Sequence, residues 1–487
     1  MRKNAVVFGY IVEIFIKTNF MTQEKFKQII SFIGNCIKGS DFENHVFAVG
    51  GCVRDSYMGN EIKDIDLCID LPDGGIKLAE FLHTKKFLTR PPVVYPTYGT
   101  AMFKFKKFNQ DEIECVHTRG EQYHDKNSRN PETCFATIQD DCVRRDLTIN
   151  ALYMNVTSGE VLDLTGKGLD DIKNHVCRVT NENPDIVFND DPLRILRVIR
   201  FACRYNFDIE ENTCASMMKN VDRLEIITQE RITDEFNKML MTDEPARAMA
   251  LIRHIKAMKY IIPELIETYD MEQNAYHCAS VWDHTMSLMC SEESNYQPYL
   301  PTRLACVLHD IGKIRTKTVG ADGRIHFYDH ETVGADMVRD IMHRMRYSND
   351  ITEEVCFYIR NHMITKGWGD DLSHMKMKSL RKLMYKAKTE ERFNHLIEVI
   401  NCDNCSHKKE HCMWNQGENI LKVAANEKRM FGYQLPINGN EVMEVLGIEP
   451  GPKVKKYLDH CMKLAFNNPD ITKEDCIKEI KHFKINE

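Results

Sequence analysis

Residues 47–70 read FAVGGCVRDSYMGNEIKDIDLCID. Gly50 and Gly51 follow a short apolar run, and a double glycine lets backbone approach a ligand closely. A helix starting near Cys52 would turn its free amides toward a phosphate. Arg54 could then add a two-pronged, charge-assisted contact. By itself the Gly-Gly pair is equally an ordinary turn. Asp64 and Asp66 are two apart, so on a strand their carboxylates share a face while Ile65 and Leu67 point into a core. Such a pair repels unless a cation joins it. Two Mg²⁺ ions would suit, one activating a 3′-hydroxyl and the other holding a triphosphate. An exposed polar strand face gives the same pattern. Glu114 in EIECVHT is a candidate third carboxylate or a solvent-facing strand residue. Arg144, Arg145 and Asp146 in DDCVRRDLTINALYMN could meet triphosphate and ribose, although a charge triplet is commonly a solvated face.

A second set lies between residues 283 and 403: His284 in WDHT, His309 and Asp310 in LACVLHDIGKI, His330 in YDHETVGA, His362 in YIRNHM and Asp403 in EVINCDN. Imidazoles and carboxylates are good ligands for divalent transition metals. Adjacent His and Asp at the end of an apolar helix both need partners if buried. Each residue alone is an ordinary histidine or aspartate.

The elements that must position these residues change character along the chain. Residues 23–38 read as a helix. Residues 45–118 alternate short strands with turns and one helix: HVFAVGG, KDIDLCID, then GTAMFKF and EIECVHT as a hairpin after a Pro-rich turn. Residues 119–140 are polar and read as a mobile loop. INALYMNV forms a further strand closed by a Ser-Gly turn. From about residue 189 the signal is almost wholly helical, beginning with apolar residues at helical spacing in DDPLRILRVIRFACRYNF. The expected fold is an α/β head, a mixed small sheet with helices, followed by an all-α body.

Composition bounds the rest. A chain of 487 residues suggests about three domains. Hydrophobic content of 43% and charged content of 28% fit a globular protein rather than a disordered one. A net charge of −7 argues against an overall basic coat, yet a local basic groove suffices for phosphate contacts. Eighteen cysteines are scattered without a framework, which suggests a reduced, cytoplasmic protein. Glu13 interrupts the apolar start and no small-residue cleavage site follows, so residues 1–22 read as an extension. No run approaches ~18 apolar residues, so no membrane span is expected.

Taken together, GGCVRD, KDIDLCID, RRDLTINAL, DDPLRILRVIRFA and ERITDEFNKML, in this order, resemble the class II tRNA nucleotidyltransferases and bacterial poly(A) polymerases. The resemblance implies a nucleotidyltransferase head, then a helical neck, body and tail. It implies addition of nucleotides to an RNA 3′ end without a nucleic-acid template. Asp64 and Asp66 would hold Mg²⁺. Gly50, Gly51, Arg54, Asp55, Arg144, Arg145, Asp146, Asp191, Arg194 and Arg197 would meet the nucleotide. In that family an acid-acid-x-x-Arg motif reads the incoming base; here it resembles Asp190, Asp191 and Arg194, with Asp190 where the family usually has Glu. A carboxylate accepts from a base amino group and a guanidinium donates to ring and carbonyl acceptors. An N-cap at Asp190 or Asp191 before Pro192 explains the same residues. Asp55 is open between a contact to sugar or RNA end and a helix cap.

The family's poly(A) polymerases usually carry a GRRF-like stretch soon after the paired aspartates; here TRPPVVYPTYGTAMFKF stands instead. The flexible-loop segment RGEQYHDKNSRNP, part of which CC-only enzymes lack, is present. CCA addition to tRNA from CTP and ATP is therefore the first expectation, poly(A) or A addition the second.

The order H…HD…H…H…D resembles the HD phosphohydrolase superfamily. That implies a helical transition-metal site, of one or two ions, hydrolysing phosphate esters, with Lys313 near phosphate. In HD-containing tRNA nucleotidyltransferases this part is linked to hydrolysis of 2′,3′-cyclic phosphate or phosphate ends. His326 reads as structural. A zinc site at Cys402, Cys405, His411 and Cys412 is the competitor for this region. The expected layout is an extension (1–22), head (23–180), neck (181–275), HD domain (276–412) and RNA-binding helical tail (413–487). In the tail, the turns of LPINGNEVMEVLGIEPGPKV could meet RNA backbone or simply end helices. A rival of another class is a hydrolase whose head only binds nucleotide or RNA.

Overall fold

The computed structural model describes residues 20–108, 112–122, 132–273, 280–289, 299–406 and 412–483. The centre of the 119–140 segment and His411 lie outside these. The chain divides into two compact units, Met1–Tyr260 and Ile261–Glu487.

The first unit is built on a seven-stranded sheet of order β3-β4-β5-β2-β1-β8-β9. Its strands are β1 (Val46–Val49), β2 (Asp66–Ile69), β3 (Val93–Tyr95), β4 (Thr100–Phe103), β5 (Ile113–His117), β8 (Leu152–Asn155) and β9 (Val161–Asp163). Only β2 and β5 run parallel; the other neighbours are antiparallel. The central strands have apolar residues buried on both faces, which is why Leu67, Cys68 and Ile69 are consecutive and all buried. α1 (Gln23–Ile37) starts at Thr22, whose hydroxyl accepts the Lys25 amide, and buries Phe26, Ile29, Ile30, Ile33 and Ile37 along one stripe. Gly34 lets it press on the sheet: a Cβ there would lie 2.2 Å from the Val156 carbonyl oxygen.

β6 (Arg119–Gln122) and β7 (Glu132–Phe135) pair as a separate hairpin. The 119–140 segment is therefore not all loop: it holds two ladder strands and the start of a helix at Ile138. The Pro-rich turn likewise contains an edge strand, β3, where Pro is tolerated on either side. Helices α2 (Gly51–Met58), α3 (Gly74–Thr84), α4 (Ile138–Val143) and α5 (Gly168–Lys173) complete the head. Helical structure resumes earlier than residue 189, with α6 (Pro184–Asp190) started by Asn183 and Pro184. α7 (Arg194–Tyr205), α8 (Glu211–Asn220), α9 (Gln229–Leu240) and α10 (Pro245–His254) follow, with the short ladder of β10 (Val176–Cys177) and β11 (Asp208–Ile209) beside them. α11 (Met258–Ile261) spans the boundary between the units in the chain.

The second unit is helical: α12 (Val281–Met289), α13 (Leu300–Leu308), α14 (Lys313–Thr316), α15 (His330–Arg344), α16 (Asn349–Asn361), α17 (Met377–Ala387), α18 (Glu390–Cys405) and α19 (Gln416–Ala424). One small hairpin, β12 (Lys317–Val319) with β13 (Ile325–Phe327), interrupts it. At its end α20 (Gly439–Leu446), α21 (Pro452–Asn467) and α22 (Lys473–His482) close on a core of Ile437, Val442, Val454, Cys461, Cys476 and Ile480. Asn438 and Glu441 cap α20 reciprocally, so the NGN turn ends in helix-capping bonds. Among the described residues no helix is long and apolar enough to cross a membrane.

Candidate active sites

β1 ends at Gly50, whose φ of 73° and ψ of −127° no L side chain adopts readily, and α2 begins at Gly51. The reversal puts the first amides of α2 beside the carboxyl edge of the sheet. Asp66 opens β2 and stands in parallel register with Glu114 on β5. Ile65 and Leu67 are buried, as the alternation requires, while Asp64 and Asp66 are exposed. Desolvation by the surrounding protein, then the charges of Glu114 and Asp64, push the Asp66 carboxyl up to about 6, with Arg145 opposing. Asp66 thus sits in the field of two other carboxylates, a repulsion that a divalent cation would relieve.

The arginines of the RRD run are organised by a residue that the sequence did not single out. Asp141 on α4 is fully buried. Its Oδ1 accepts from Arg144 Nε at 3.0 Å and Nη2 at 2.5 Å; its Oδ2 accepts from Arg145 Nε at 3.1 Å and Nη2 at 2.9 Å. The Tyr153 hydroxyl donates to the same Oδ2 at 2.6 Å. Burial alone would raise the Asp141 carboxyl, but the two guanidiniums hold it well below the usual range. The Arg119 amide also donates to Asp141, tying the start of β6 to the pair. Arg145 Nη1 approaches within 3.6 Å of where a Gly50 side chain would begin.

Asp146 is buried and accepts from the Leu147 amide, from Asn150 Nδ2 at 3.0 Å, and from Arg197 Nε and Nη2 at 2.8 and 2.6 Å. Arg197 continues to Glu235, which also takes Arg200 at 2.6 Å. Arg54, expected at the phosphates, has other partners. It forks onto Asp55 with two 2.9 Å bonds, donates to Asn150 Oδ1, and stacks over Tyr205 at 4.6 Å. Asp55 also accepts from the Tyr205 hydroxyl at 2.9 Å, so it neither caps α2 nor faces open solvent. A buried charge needs such pairing. Arg54 and Asp55 thus bolt α2 to the end of α7.

On the neck, Asp190 is the last residue of α6 rather than an N-cap, because the helix begun at Pro184 runs through it. Asp191 accepts the Leu193 amide at 3.1 Å and Arg231 Nη2 at 2.7 Å. Arg194 is buried, with Nη1 donating to the Val187 carbonyl at 3.3 Å.

In the second unit six separated residues meet. His309 closes α13, Asp310 follows it, His330 starts α15, His362 follows α16, and His284 and Asp403 come from α12 and α18. All six are buried. His309, His330 and His362 each set Nδ1 against the backbone carbonyl three residues earlier, of Cys306, Phe327 and Ile359, at 2.9, 2.9 and 2.6 Å. With Nδ1 protonated there, each ring turns a bare Nε2 inward, the orientation a metal ligand needs. His284 Nε2 lies 3.3 Å from His309 Nε2, and His330 Nε2 lies 3.4 Å from His362 Nε2. Asp310 faces both: Oδ2 lies 3.2 Å from His309 and Oδ1 lies 3.3 Å from His330. The result is two ligand trios, His284–His309–Asp310 and Asp310–His330–His362, joined by one carboxylate. Asp403 Oδ1 adds to the first, 3.1 Å from His284. This donor set fits two divalent transition ions sharing a bridging carboxylate.

Burial and the neighbouring charges act differently on the individual imidazoles. Burial and the neighbouring His309 lower His362 to about 3, which keeps it neutral. Burial also lowers His284. At His309 burial pulls down, but the Asp310 charge outweighs it and the net shift is upward. Lys313 Nζ sits 2.6 Å from Asp310 Oδ2 and bonds Gln273, so it meets a metal-ligand candidate directly. Lys366, missed in the sequence, does the same for Asp403 Oδ2 at 2.7 Å. It also donates to Asn404, which donates to the fully buried Gln416. The zinc alternative does not assemble among the described residues: Asp403 turns into the HD cluster, and Cys402 lies beside Cys306 and Glu398. His326 stacks on Tyr328 on the small hairpin, outside both trios.

A nucleotidyltransferase-type head carrying paired aspartates, joined to a helical His/Asp centre of HD type, is the class that fold and sites define. Family models match accordingly: the poly A polymerase head domain over residues 46–178, the probable RNA and SrmB-binding site of polymerase A over 206–268, and the HD domain over 274–399. The chain thus carries a poly A polymerase head domain, a segment matching that polymerase's RNA-binding site and an HD domain. It is 28% identical over 474 residues to "tRNA nucleotidyltransferase cca1" of Schizosaccharomyces pombe, covering 89% of this chain and 90% of that one. It is 28% identical over 376 residues to "Multifunctional CCA protein" of Azoarcus sp. (strain BH72), covering 74% and 83%. In fold it resembles the Bacillus stearothermophilus CCA-adding enzyme solved in complex with CTP, with a TM-score of 0.66 at 18% identity over 94% of this chain and 97% of that one.

Proposed function

We propose that this protein adds CCA, from CTP and ATP, to the 3′ end of tRNA. The observation that carries this reading is the register of Asp66 with Glu114, in the field of Asp64 and Arg145, beside the Gly50 turn and the Asp141-held arginines. Mg²⁺ held by Asp64 and Asp66 would supply activation of the RNA 3′-hydroxyl and charge neutralisation on the triphosphate. Gly50 and Gly51 give the phosphates room and amides, and Arg144 and Arg145 supply fixed positive charge. Asp146 and Arg197 anchor this run to α7, from whose start Asp191 and Arg194 select the base. Arg54 and Asp55 hold α2 in place.

The HD centre is proposed to hydrolyse 2′,3′-cyclic phosphate or phosphate ends of RNA. His284, His309, Asp310, His330, His362 and Asp403 would hold divalent transition ions, which supply an activated water and polarise the phosphate. Lys313 and Lys366 orient the two carboxylates. The domain limits are proposed as head 23–180, neck 181–275, HD domain 276–412 and tail 413–487, in a cytoplasmic protein.

The test is incubation with tRNAs ending before, within and after CCA, with each nucleoside triphosphate singly and together. Stepwise addition stopping at CCA is expected. Open-ended adenylate tails would replace this reading with poly(A) synthesis. No addition at all, with phosphodiesterase activity retained, would leave a hydrolase whose head only binds nucleotide or RNA.

A further inference from the structure

Helix α17 is unlike the charged surfaces around it. Between residues 372 and 389 the sequence LSHMKMKSLRKLMYKAKT holds six basic residues and no Asp or Glu, in a chain whose net charge is −7. Lys376, Lys378, Lys382, Lys386 and Lys388 are all exposed. Several other surface cations of this unit have carboxylate partners: Arg344 with Glu264, Arg360 with Asp336, Lys422 with Glu418, Lys428 with Glu390 and Lys473 with Glu441. None of the five lysines pairs with a carboxylate among the described residues.

Three of them form a line. Lys378, Lys382 and Lys386 are spaced at i, i+4 and i+8, so they share one face at steps of about 6 Å along the axis. The opposite face, Leu380, Leu383, Met384 and Ala387, is buried. Arg381, between the two faces, fixes the helix: it forks onto Glu427 at 2.8 and 2.9 Å and donates to the Asn467 carbonyl at 2.8 Å. The like charges of Lys382 and Arg360 add to burial in pushing Lys386 below its ordinary value, which shows crowding that no acid relieves. A rigid helix that keeps repelling charges in line, without compensation, is matched by a partner with regularly spaced negative charges. A phosphodiester backbone has that chemistry.

We propose that the Lys378–Lys382–Lys386 face of α17 is a sequence-independent docking surface for the phosphate backbone of the RNA substrate. The proposal rests on the reading of the protein as an RNA 3′-end enzyme. Each lysine that meets a phosphate releases counterion and steepens the salt dependence of binding.

The experiment is tRNA binding by fluorescence anisotropy from 50 to 200 mM salt, using the full chain and the variant K378A/K382A/K386A. The expected result is a loss of about tenfold or more in affinity at low salt and a log–log salt slope shallower by about three. Charge reversal, K378E/K382E/K386E, should deepen both effects. Melting temperature and affinity for CTP should not change, since the three side chains are exposed and remote in sequence from the head. Wild-type affinity and slope in both variants would overturn the proposal. So would lysine-dependent binding to phosphatidylserine vesicles with tRNA binding unaltered. If the wild type binds tRNA through these lysines yet adds no nucleotide, the catalytic reading fails and the docking surface stands.

Discussion

Asp66 on β2 lies directly opposite Glu114 on β5, in the one parallel pairing of the head sheet. That register turns two strands far apart in sequence into a single acidic edge, and desolvation followed by the Glu114 and Asp64 charges lifts Asp66 to about 6. The carboxylate must lose its proton to hold a cation. Mg²⁺ activation of nucleotide addition should therefore weaken about tenfold per pH unit below about 6. In Glu114→Gln the neighbouring negative charge is gone, so Asp66 ionises more readily and the acid limb should move to lower pH. A pH profile of addition at several Mg²⁺ concentrations checks both; an unmoved limb in the variant would disprove the coupling.

Asp64→Ala and Asp66→Ala should each reduce nucleotide incorporation by more than the ~10–100-fold typical of removing an outer partner of a metal. Phosphodiesterase activity should be spared, because its ligands are a separate set in the second unit. Parallel assays on the purified variants decide this, and near-normal incorporation would refute the head assignment.

Asp141→Asn breaks a buried ion pair on both of its oxygens. A loss of about 3–5 kcal/mol in stability is the ordinary result of such a break. Arg144 and Arg145 would also lose their fixed positions, so KM for CTP and ATP should rise. Denaturant unfolding and nucleotide titration measure the two effects separately. An affinity unchanged in the folded variant would show that the arginines do not need this anchor.

Transition-metal titration in excess Mg²⁺ should find two Ni²⁺ or Co²⁺ sites per chain. His362→Ala should remove one, since it serves only the second trio, whereas Asp310→Ala should weaken both. Calorimetry gives the stoichiometry directly, and one site in the wild type would rule out the bridged arrangement.

Glu398 on α18 is buried, and burial followed by the nearby Cys402 raises its carboxyl from 4.5 to about 8. The unfolded chain gives up this proton near 4.5 and the folded one only near 8. Between these values the folded state binds more protons, so this group's contribution makes stability fall as pH rises. Glu398→Gln should flatten that slope. Thermal melts from pH 5 to pH 8.5 test it, and an unchanged slope would exclude Glu398 as its source.

The sequence made the ligands legible where chemistry is written in neighbouring residues: Asp64 with Asp66, His309 with Asp310, Arg144 to Asp146. Helical signal likewise exposed α1 and α7, whose apolar stripes are complete. What stayed hidden depends on contacts between distant segments. Asp141 reads as one acid in a charged run, and only the fold places it under two arginines and Tyr153. Tyr205 meets Asp55 across 150 residues of chain. Lys366 and Gln416 carry no motif, yet tertiary packing brings Lys366 to Asp403 and Gln416 to the neighbouring Asn404. β3, β6 and β7 escaped detection because their short sequences, Val93–Tyr95, Arg119–Gln122 and Glu132–Phe135, lack the apolar–polar alternation that marks a strand.

The bond between Arg197 and Asp146 ties the Arg144–Asp146 run to α7. Arg194 and Arg197 are one turn apart on α7, and Asp146 continues the Arg144–Arg145 run. A twist of that helix therefore cannot shift Arg194 without also tugging the Arg144–Arg145 run. If, as proposed, Arg194 reads the base and Arg144 and Arg145 meet the triphosphate, one side chain would make base fit and phosphate grip mechanically interdependent, and a wrong base would be felt as a misaligned tail.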